Sequence, residues 1–297
     1  MHPRNSHRQG YNFDLLTKAS PELLNHLIKT PVGKDSINFS DAEAVKCLNK
    51  ALLKHHYKIE YWDIPKAFLC PPVPGRADYI HALADLLKQD NQNKIVNNVS
   101  ALDIGTGANL IYPILGESIY SWRFIASDIN PKAIKNAALI CKENNLSTKV
   151  LLQPDNTKFF KNILDERLKL HISMCNPPFH NSAESAKSAT QNKWHKLGKK
   201  PNSNLNFGGH SPELWCEGGE VGFIRRMIKE SKNYGQQCAW FTSLVSKKES
   251  LSAIKLALKK ANALEVKVIK MEQGQKVSRF VAWSFLNNTK RQTFYQV

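Results

Sequence analysis

The six cysteines of this chain, at positions 47, 70, 141, 175, 216 and 238, never fall into a C-x-x-C pair. Scattered in this way they exclude a zinc site, and no metal is expected. They read as reduced, mostly buried thiols of a cytosolic protein. Apolar runs long enough to span a bilayer are missing too, so no membrane segment is expected. The opening "MHPRNSHRQG" carries charge with no apolar stretch behind it, which does not read as a secretory signal. No internal repeat is visible.

Acidic residues are scarce. Asp and Glu number 25 against 42 Lys and Arg, a formal net charge of +17. A polyanionic partner follows, nucleic acid first, although a merely basic soluble protein would carry the same excess. The excess is uneven. Residues 221–297 hold fifteen Lys and Arg against four acids, whereas residues 1–98 hold thirteen against ten. A basic face built by the C-terminal quarter is therefore expected.

What is present is material for a core: 42% of the 297 residues are hydrophobic, enough for a large α/β domain with an added module, or two domains. "SPELLNHLIK" reads as a short helix capped by Ser20, with Pro21 at its first position. "SDAEAVKCLNKALLKHHY" reads as a longer one, with Ser40 and Glu43 at capping-box spacing. "IPKAFLCPPVPGR" is too rich in proline for a helix, and the helical "ADYIHALADLLKQD" follows it. "NQNKIVNN" reads as a linker. From Val99 onward, strand and helix patterns alternate. "VSALDI", "WRFIASDIN", "KVLLQP", "HISMC" and "QCAWFTSLVS" are strands, interleaved with the helical "PKAIKNAALICKENN", "FIRRMIKESKNYG" and "SLSAIKLALKKAN". This grammar predicts an α/β fold with a parallel-rich sheet. "LEVKVIKM" and "RFVAWSF" would add an antiparallel hairpin at one edge.

"LDIGTGAN" places Asp103, Gly105 and Gly107 at a strand-to-helix turn. Glycine lets the backbone turn tightly and approach a ligand closely. The full dinucleotide fingerprint is absent, because Leu110 stands where the third glycine belongs. Asp128 ends the next strand, where an acid meets ribose hydroxyls in doubly wound folds; capping near Asn130 is the other reading. Asp103 can equally support the glycine turn. After the third strand, Asp155 or Asn156 is placed to meet an adenine edge, unless the pair only makes a turn.

The fourth strand runs into "CNPPFH", residues 175–180. Ligands of open α/β sheets lie at the carboxyl ends of strands, so Asn176, Pro177, Pro178 and Phe179 stand over the cofactor's reactive end. Proline fixes φ and stiffens the corner. Such a corner suits the exocyclic amine of adenine, a poor nucleophile because its lone pair is delocalised into the ring. Accepting its two N–H bonds, at the Asn176 side-chain oxygen and the Pro177 carbonyl, localises that lone pair toward an electrophilic methyl. Phe179 would stack on the flipped base. No strong base is needed, since the product amine is itself acidic; catalysis reduces to positioning and hydrogen bonding.

At these residues the chain resembles the N6-adenine methyltransferases that use S-adenosyl-L-methionine and an N-P-P-[YF] loop. A closer likeness is carried by "HPRNSHRQGYNF", "WDIPKAFLCPPVPGRADYIHALADLL", "LDIGTGANLIYPILG", "CNPPFH", "LNFGGHSPELWCEGGE" and "QGQKVSRFVAWSF", which run from residue 2 to 286. They are similar to the bacterial 23S rRNA adenine-N6 methyltransferase family known as ribosomal RNA large subunit methyltransferase F. The resemblance implies a Rossmann-like class I methyltransferase sheet at 96–297, with a substrate loop at 180–220. It also implies an N-terminal helical, RNA-contacting module at 1–95. The implied substrate is one adenine of 23S rRNA, free or in a large-subunit assembly intermediate, met by a monomer. By the same resemblance Arg76 reaches the cofactor's carboxylate or nearby backbone, and Asp103, Gly105 and Gly107 line its methionine end. Glu217 to Glu220 brace the site, or else charge a helix N-terminus. Ser278 and Arg279 approach the catalytic loop or the RNA, unless Arg279 is only an exposed hairpin charge.

In the 180–211 loop, "KSATQNKWHKLGKK" has five lysines and Trp194, suited to phosphates and an unpaired base, or else is solvated. His195 and His210 have no partner suggesting metal or base work. "HPRNSHR" is either an RNA-contacting arm or a frayed end. Two other functions fit parts of the pattern. A glutamine N5 protein methyltransferase presents an amide to the same loop, though tyrosine is commoner than Phe179 there. A catalytically silent RNA-binding protein would keep the fold without transfer.

Overall fold

The computed structural model describes residues 1–66, 68–178, 215–273 and 276–295. Its centre is a seven-stranded sheet in the order β5-β4-β3-β6-β7-β9-β8. The strands are β3 (Ser100–Ile104), β4 (Arg123–Asp128), β5 (Lys149–Leu152), β6 (Leu170–Cys175), β7 (Cys238–Leu244), β8 (Glu265–Gln273) and β9 (Lys276–Ser284). β3 through β7 pair in parallel, whereas β9 runs antiparallel to both β7 and β8. The α/β class and the antiparallel edge hairpin are therefore as the sequence predicts.

Period-2 alternation sorts the strand residues into two cores. Ala101, Ile172, Met174, Ala239 and Phe280 join one cluster with the N-terminal helices; Leu102, Ile104, Phe241, Val281 and Trp283 join another. The first face is covered by α2 (Ala42–Tyr57), α3 (Val73–Asp90), α4 (Ile111–Tyr120) and α5 (Pro131–Glu143). The second is covered by α6 (Gly219–Ser231) and α7 (Ser250–Ala261). The first cluster is continuous from Phe13 to Ala282, so the N-terminal helices bury their apolar faces directly against the sheet.

Local boundaries depart from the sequence reading in instructive ways. "SPELLNHLIK" divides into a 3-10 turn, Pro21–His26, and strand β1 (Leu27–Lys29), which pairs with β2 (Asp35–Ile37). Ser20 makes no side-chain cap there. The cap of α2 is Asp41, whose carboxylate accepts from the Glu43 N–H at 3.0 Å, not Ser40. α3 begins at Val73, inside the stretch read as non-helical, because Pro74 falls in the first turn where no N–H is required. That shift puts Arg76 on a helix. α5 keeps its expected start, with Asn130 accepting from the Lys132 N–H and Pro131 at the first position.

The N-terminal segment is docked, not frayed. Asn5 and His7 are buried. The Asn5 side-chain amide donates to Asp78 at 2.6 Å and to the Pro74 carbonyl at 2.9 Å, and Arg4 pairs with Asp85 at 2.7 Å. A short C-terminal helix, α8 (Asn288–Gln292), closes the first face. It contributes Arg291, which is fully buried against Asp90 and Trp240.

Candidate active site

The site begins where β3 gives out. Gly105 and Gly107 adopt φ of 73° and 66°, the left-handed region that residues with a Cβ avoid. A Cβ on Gly105 would meet nothing within 4 Å, so conformation and not space demands glycine there. The turn is tied to β4: the Gly105 and Thr106 N–H groups donate to the Ser127 carbonyl. Asp128, the last residue of β4, accepts from the Gly107 N–H at 2.9 Å and the Asn130 N–H at 2.8 Å. Burial raises its carboxyl, and these backbone donors pull it back. Asp128 thus caps locally, as one sequence reading has it, and it also lines the cavity at the carboxyl ends of β3, β4 and β6.

Asp103 is 1% exposed, and neither carboxylate oxygen has a hydrogen-bond partner. Burial pushes its carboxyl up to about 7, with the neighbouring Asp128 charge adding to the rise and smaller opposing pulls from the nearby Thr106 and Arg76. It lies just beneath the lining formed by Ile104, Gly105, Thr106 and Gly107. Arg76 donates through Nη1 to the Tyr112 hydroxyl at 2.9 Å and packs over that ring, while its Nε stays buried and unpaired. The Thr106 hydroxyl is likewise unfilled. Asp103, Thr106 and Arg76 thus each leave buried polar atoms without hydrogen bonds around the glycine turn, where Thr106 and Arg76 line the cavity and Asp103 lies behind it. Buried polar groups normally find partners, and a cluster of exceptions marks room for a polar ligand.

The opposite wall is the loop after β5, where the sequence offers Asp155 or Asn156 to an adenine edge or else reads as a turn. Asp155 accepts from Thr157 and does not line the cavity that Asp128 faces; Asn156 does, with Ile129, Gln153, Lys158 and Phe159. Gln153 holds the loop from inside, donating to the Lys161 carbonyl at 2.8 Å and accepting from the Asp155 N–H. Glu230 holds it from outside, accepting from the N–H groups of Phe159, Phe160 and Lys161 at 2.8, 3.1 and 2.9 Å. Phe223, on the same helix, lines the cavity and meets Phe159 edge to face. Sequence reading misses Glu230, Gln153, Phe159 and Phe223. One signal was available: an acid in the last turn of α6 opposes the helix dipole, which calls for a compensating partner.

The N-P-P corner sits between these walls. Parallel register pairs Ile104 with Cys175, so Asn176 comes level with Gly105 on the neighbouring strand. Asn176 and Pro178 line the same cavity as Asp128 and Gly107, and Pro177 is buried behind them. The Asn176 side chain has no hydrogen-bond partner among the described residues. Phe179, the 180–211 loop with its lysines, Trp194, His195 and His210 all lie outside the described residues. Glu217 is exposed, while Glu220 is buried and grips the segment after β7. Arg279 donates to the Ser246 carbonyl, and the Ser278 hydroxyl donates to the Met271 carbonyl. Among the described residues, no three His, Cys, Asp or Glu side chains gather as a metal site, and no helix is long and apolar enough to cross a membrane.

A family described as RNA methyltransferase matches residues 1–287. A protein of Pseudoalteromonas translucida (strain TAC 125), named ribosomal RNA large subunit methyltransferase F, is 52% identical over 98% of this chain and 95% of its own length. Among solved structures, the catalytic domain of human METTL16 in complex with MAT2A 3'UTR hairpin 1 superposes with a TM-score of 0.83. It is 32% identical over 97% of this chain and 96% of that one. The N-terminal domain of human METTL16 in complex with SAH gives a TM-score of 0.77 at 29% identity, covering 97% and 99%.

Proposed function

This chain belongs to the RNA methyltransferase family, and from that premise we propose that it methylates the N6 amine of one adenine in 23S rRNA. What supports the site assignment is a shared cavity: Asn176 and Asp128 face it from the carboxyl ends of two strands that flank β3. S-adenosyl-L-methionine is the methyl donor, and when bound it supplies an electrophilic methyl group on a sulfonium. The residues present fit it. Its amino-acid end carries an ammonium and a carboxylate, which match the unpartnered Asp103 carboxyl and Arg76 Nε–H. Asp128 would accept from the ribose hydroxyls, while Ile129, Asn156 and Phe159 would surround the adenine of the cofactor.

The protein's own contribution to the chemistry is positioning. Asn176 would accept one N–H of the target amine through its side-chain oxygen, and the Pro177 carbonyl the other. The nitrogen lone pair then leaves the ring system and points along the line of attack. Phe179 would stack on the target base. After attack the amine is cationic and acidic, so its proton passes to water without a dedicated base. The 1–95 module and the 180–220 loop would meet the RNA, and a monomer would suffice. The substrate is free 23S rRNA or a large-subunit assembly intermediate, and the site of action is the cytoplasm.

Glutamine N5 methylation remains the competing chemistry for such a corner, and the net charge of +17 favours RNA over it. The test is a methyl-label assay with 23S rRNA and with a release factor, followed by digestion to nucleosides or amino acids. Label recovered as N6-methyladenosine is the expected result. Label on glutamine, or on another nucleoside, would overturn the proposal.

A further inference from the structure

β7 ends at Leu244, and an exposed turn, Ser246 to Glu249, carries the chain into α7. The turn is held by two charged side chains that reach one residue from opposite sides. Glu220, 4% exposed, accepts from the Ser246 N–H at 2.5 Å, from the Ser250 hydroxyl at 2.9 Å and from the Lys247 N–H at 3.5 Å. Arg279 donates to the Ser246 carbonyl at 3.2 Å. Glu220 pairs with no cation among the described residues; donors alone keep it tolerable in the interior. A surface turn that water could solvate does not need a buried carboxylate to define it. The device makes sense if what the turn displays must be fixed in place.

It displays Lys247 and Lys248. Both are exposed, and neither pairs with an acid among the described residues. Glu249 follows, also exposed, as the cap residue of α7. Register sets their position. The ladder between β6 and β7 ends at Ser173 and Phe241, and both strands run on in the same direction, β6 into Asn176 and β7 to Leu244. The lysine turn and the N-P-P corner therefore both follow the carboxyl ends of adjacent parallel strands, the turn on the side of β6 away from β4 and its Asp128.

We infer that Lys247 and Lys248 hold the phosphates flanking the nucleotide whose base enters the site, and that Glu220 and Arg279 are positioning residues for them. This rests on the reading of the corner as an adenine amine site in RNA. A flipped base must carry its backbone to the rim, and two fixed ammonium groups beside the corner would set its reach and direction.

The experiment is equilibrium binding of a short single-stranded oligoadenylate to the full chain over a range of salt, with SAH affinity measured alongside. In Lys247→Gln/Lys248→Gln the slope of log affinity against log salt should become shallower by about 0.7 per lost phosphate contact, hence roughly 1.4 for the pair. SAH affinity should be unchanged, and Lys247→Arg/Lys248→Arg should restore the slope. Glu220→Gln, or Ser250→Ala should the first variant fold poorly, should flatten the slope with both lysines in place. Its effect should not add to that of the lysine pair. An unchanged slope in the lysine pair, or strict additivity with Glu220→Gln and Ser250→Ala, would overturn the inference. Wild-type methyl transfer separates the two layers. Transfer to adenine with an unchanged slope removes only the phosphate role. A flattened slope without transfer keeps the phosphate contacts and removes the reading of the chemistry.

Discussion

Asp103 and Asp128 stand near the ends of neighbouring parallel strands and flank one glycine turn, yet only Asp128 is satisfied. It receives two backbone N–H groups, whereas both oxygens of Asp103 are buried with no partner. One carboxylate is satisfied by the backbone of the turn, and the other is buried beside it without a hydrogen bond.

That contrast predicts a stability cost with a definite sign. The Asp103 carboxyl titrates at about 7 in the folded chain against an ordinary value of 3.8. Between these values the folded protein keeps a proton that the unfolded chain releases, so stability falls as pH rises from 4 to 7 and levels off above. The loss is at most roughly 4 kcal/mol. Asp103→Asn should abolish that slope and make the ligand-free protein more stable at pH 8, while weakening cofactor affinity. Urea unfolding at pH 5 and pH 8, with calorimetry of SAH, checks both directions.

Asp128→Ala should act oppositely on stability. It removes the acceptor for Gly107 and Asn130 as well as the ribose contact, each charged hydrogen bond being worth roughly 1.5–3 kcal/mol. Both the melting temperature and SAH affinity should drop. Unchanged affinity in a folded variant would remove the ribose role.

Glu230 carries a prediction about a wall and not a contact. Without its carboxylate the N–H groups of Phe159, Phe160 and Lys161 lose their acceptor. Glu230→Ala should speed amide exchange at those three residues and weaken SAH binding, although Glu230 does not line the cavity. Slow exchange in the variant would show that Gln153 alone holds the loop.

The Asp90–Arg291 pair is a structural latch. Arg291 reaches Asp90 at 2.8 Å with both side chains 1% exposed, and Trp240 donates to the same carboxylate. Asp90→Ala leaves a guanidinium buried without its main partner and should cost about 3–5 kcal/mol. SAH affinity of the folded fraction should be unaltered, because the latch lies outside the cavity.

Much of this was legible in the sequence because it rests on local rules. Alternating patterns gave the sheet, Asn130–Pro131 gave the start of α5, and two glycines gave the turn over which Asp128 and Asn176 converge. What escaped depends on long-range contact. Pro74 looks like a helix breaker until its place in the first turn of α3 is known, and only then does Arg76 face the cavity. Glu220 reads as a brace of the site or a helix N-terminal charge, and Glu230 as a surface acid of α6, yet they grip segments 26 and about 70 positions away, which no local pattern specifies. "HPRNSHR" looks like a loose basic arm, and no local pattern announces that Asn5 and His7 are buried against α3 and α2.

The most direct test of the account is single-turnover methyl transfer by Asn176→Ala beside its equilibrium affinity for SAH. Asn176 lines the cavity at the end of β6 and makes no hydrogen bond among the described residues, and the account assigns it to the chemical step. The account predicts transfer slowed by something like 10²–10³, as when one preorganised hydrogen-bonding group is removed, with SAH affinity near that of wild type. Transfer at the wild-type rate, or loss of SAH binding as the main defect, would contradict it.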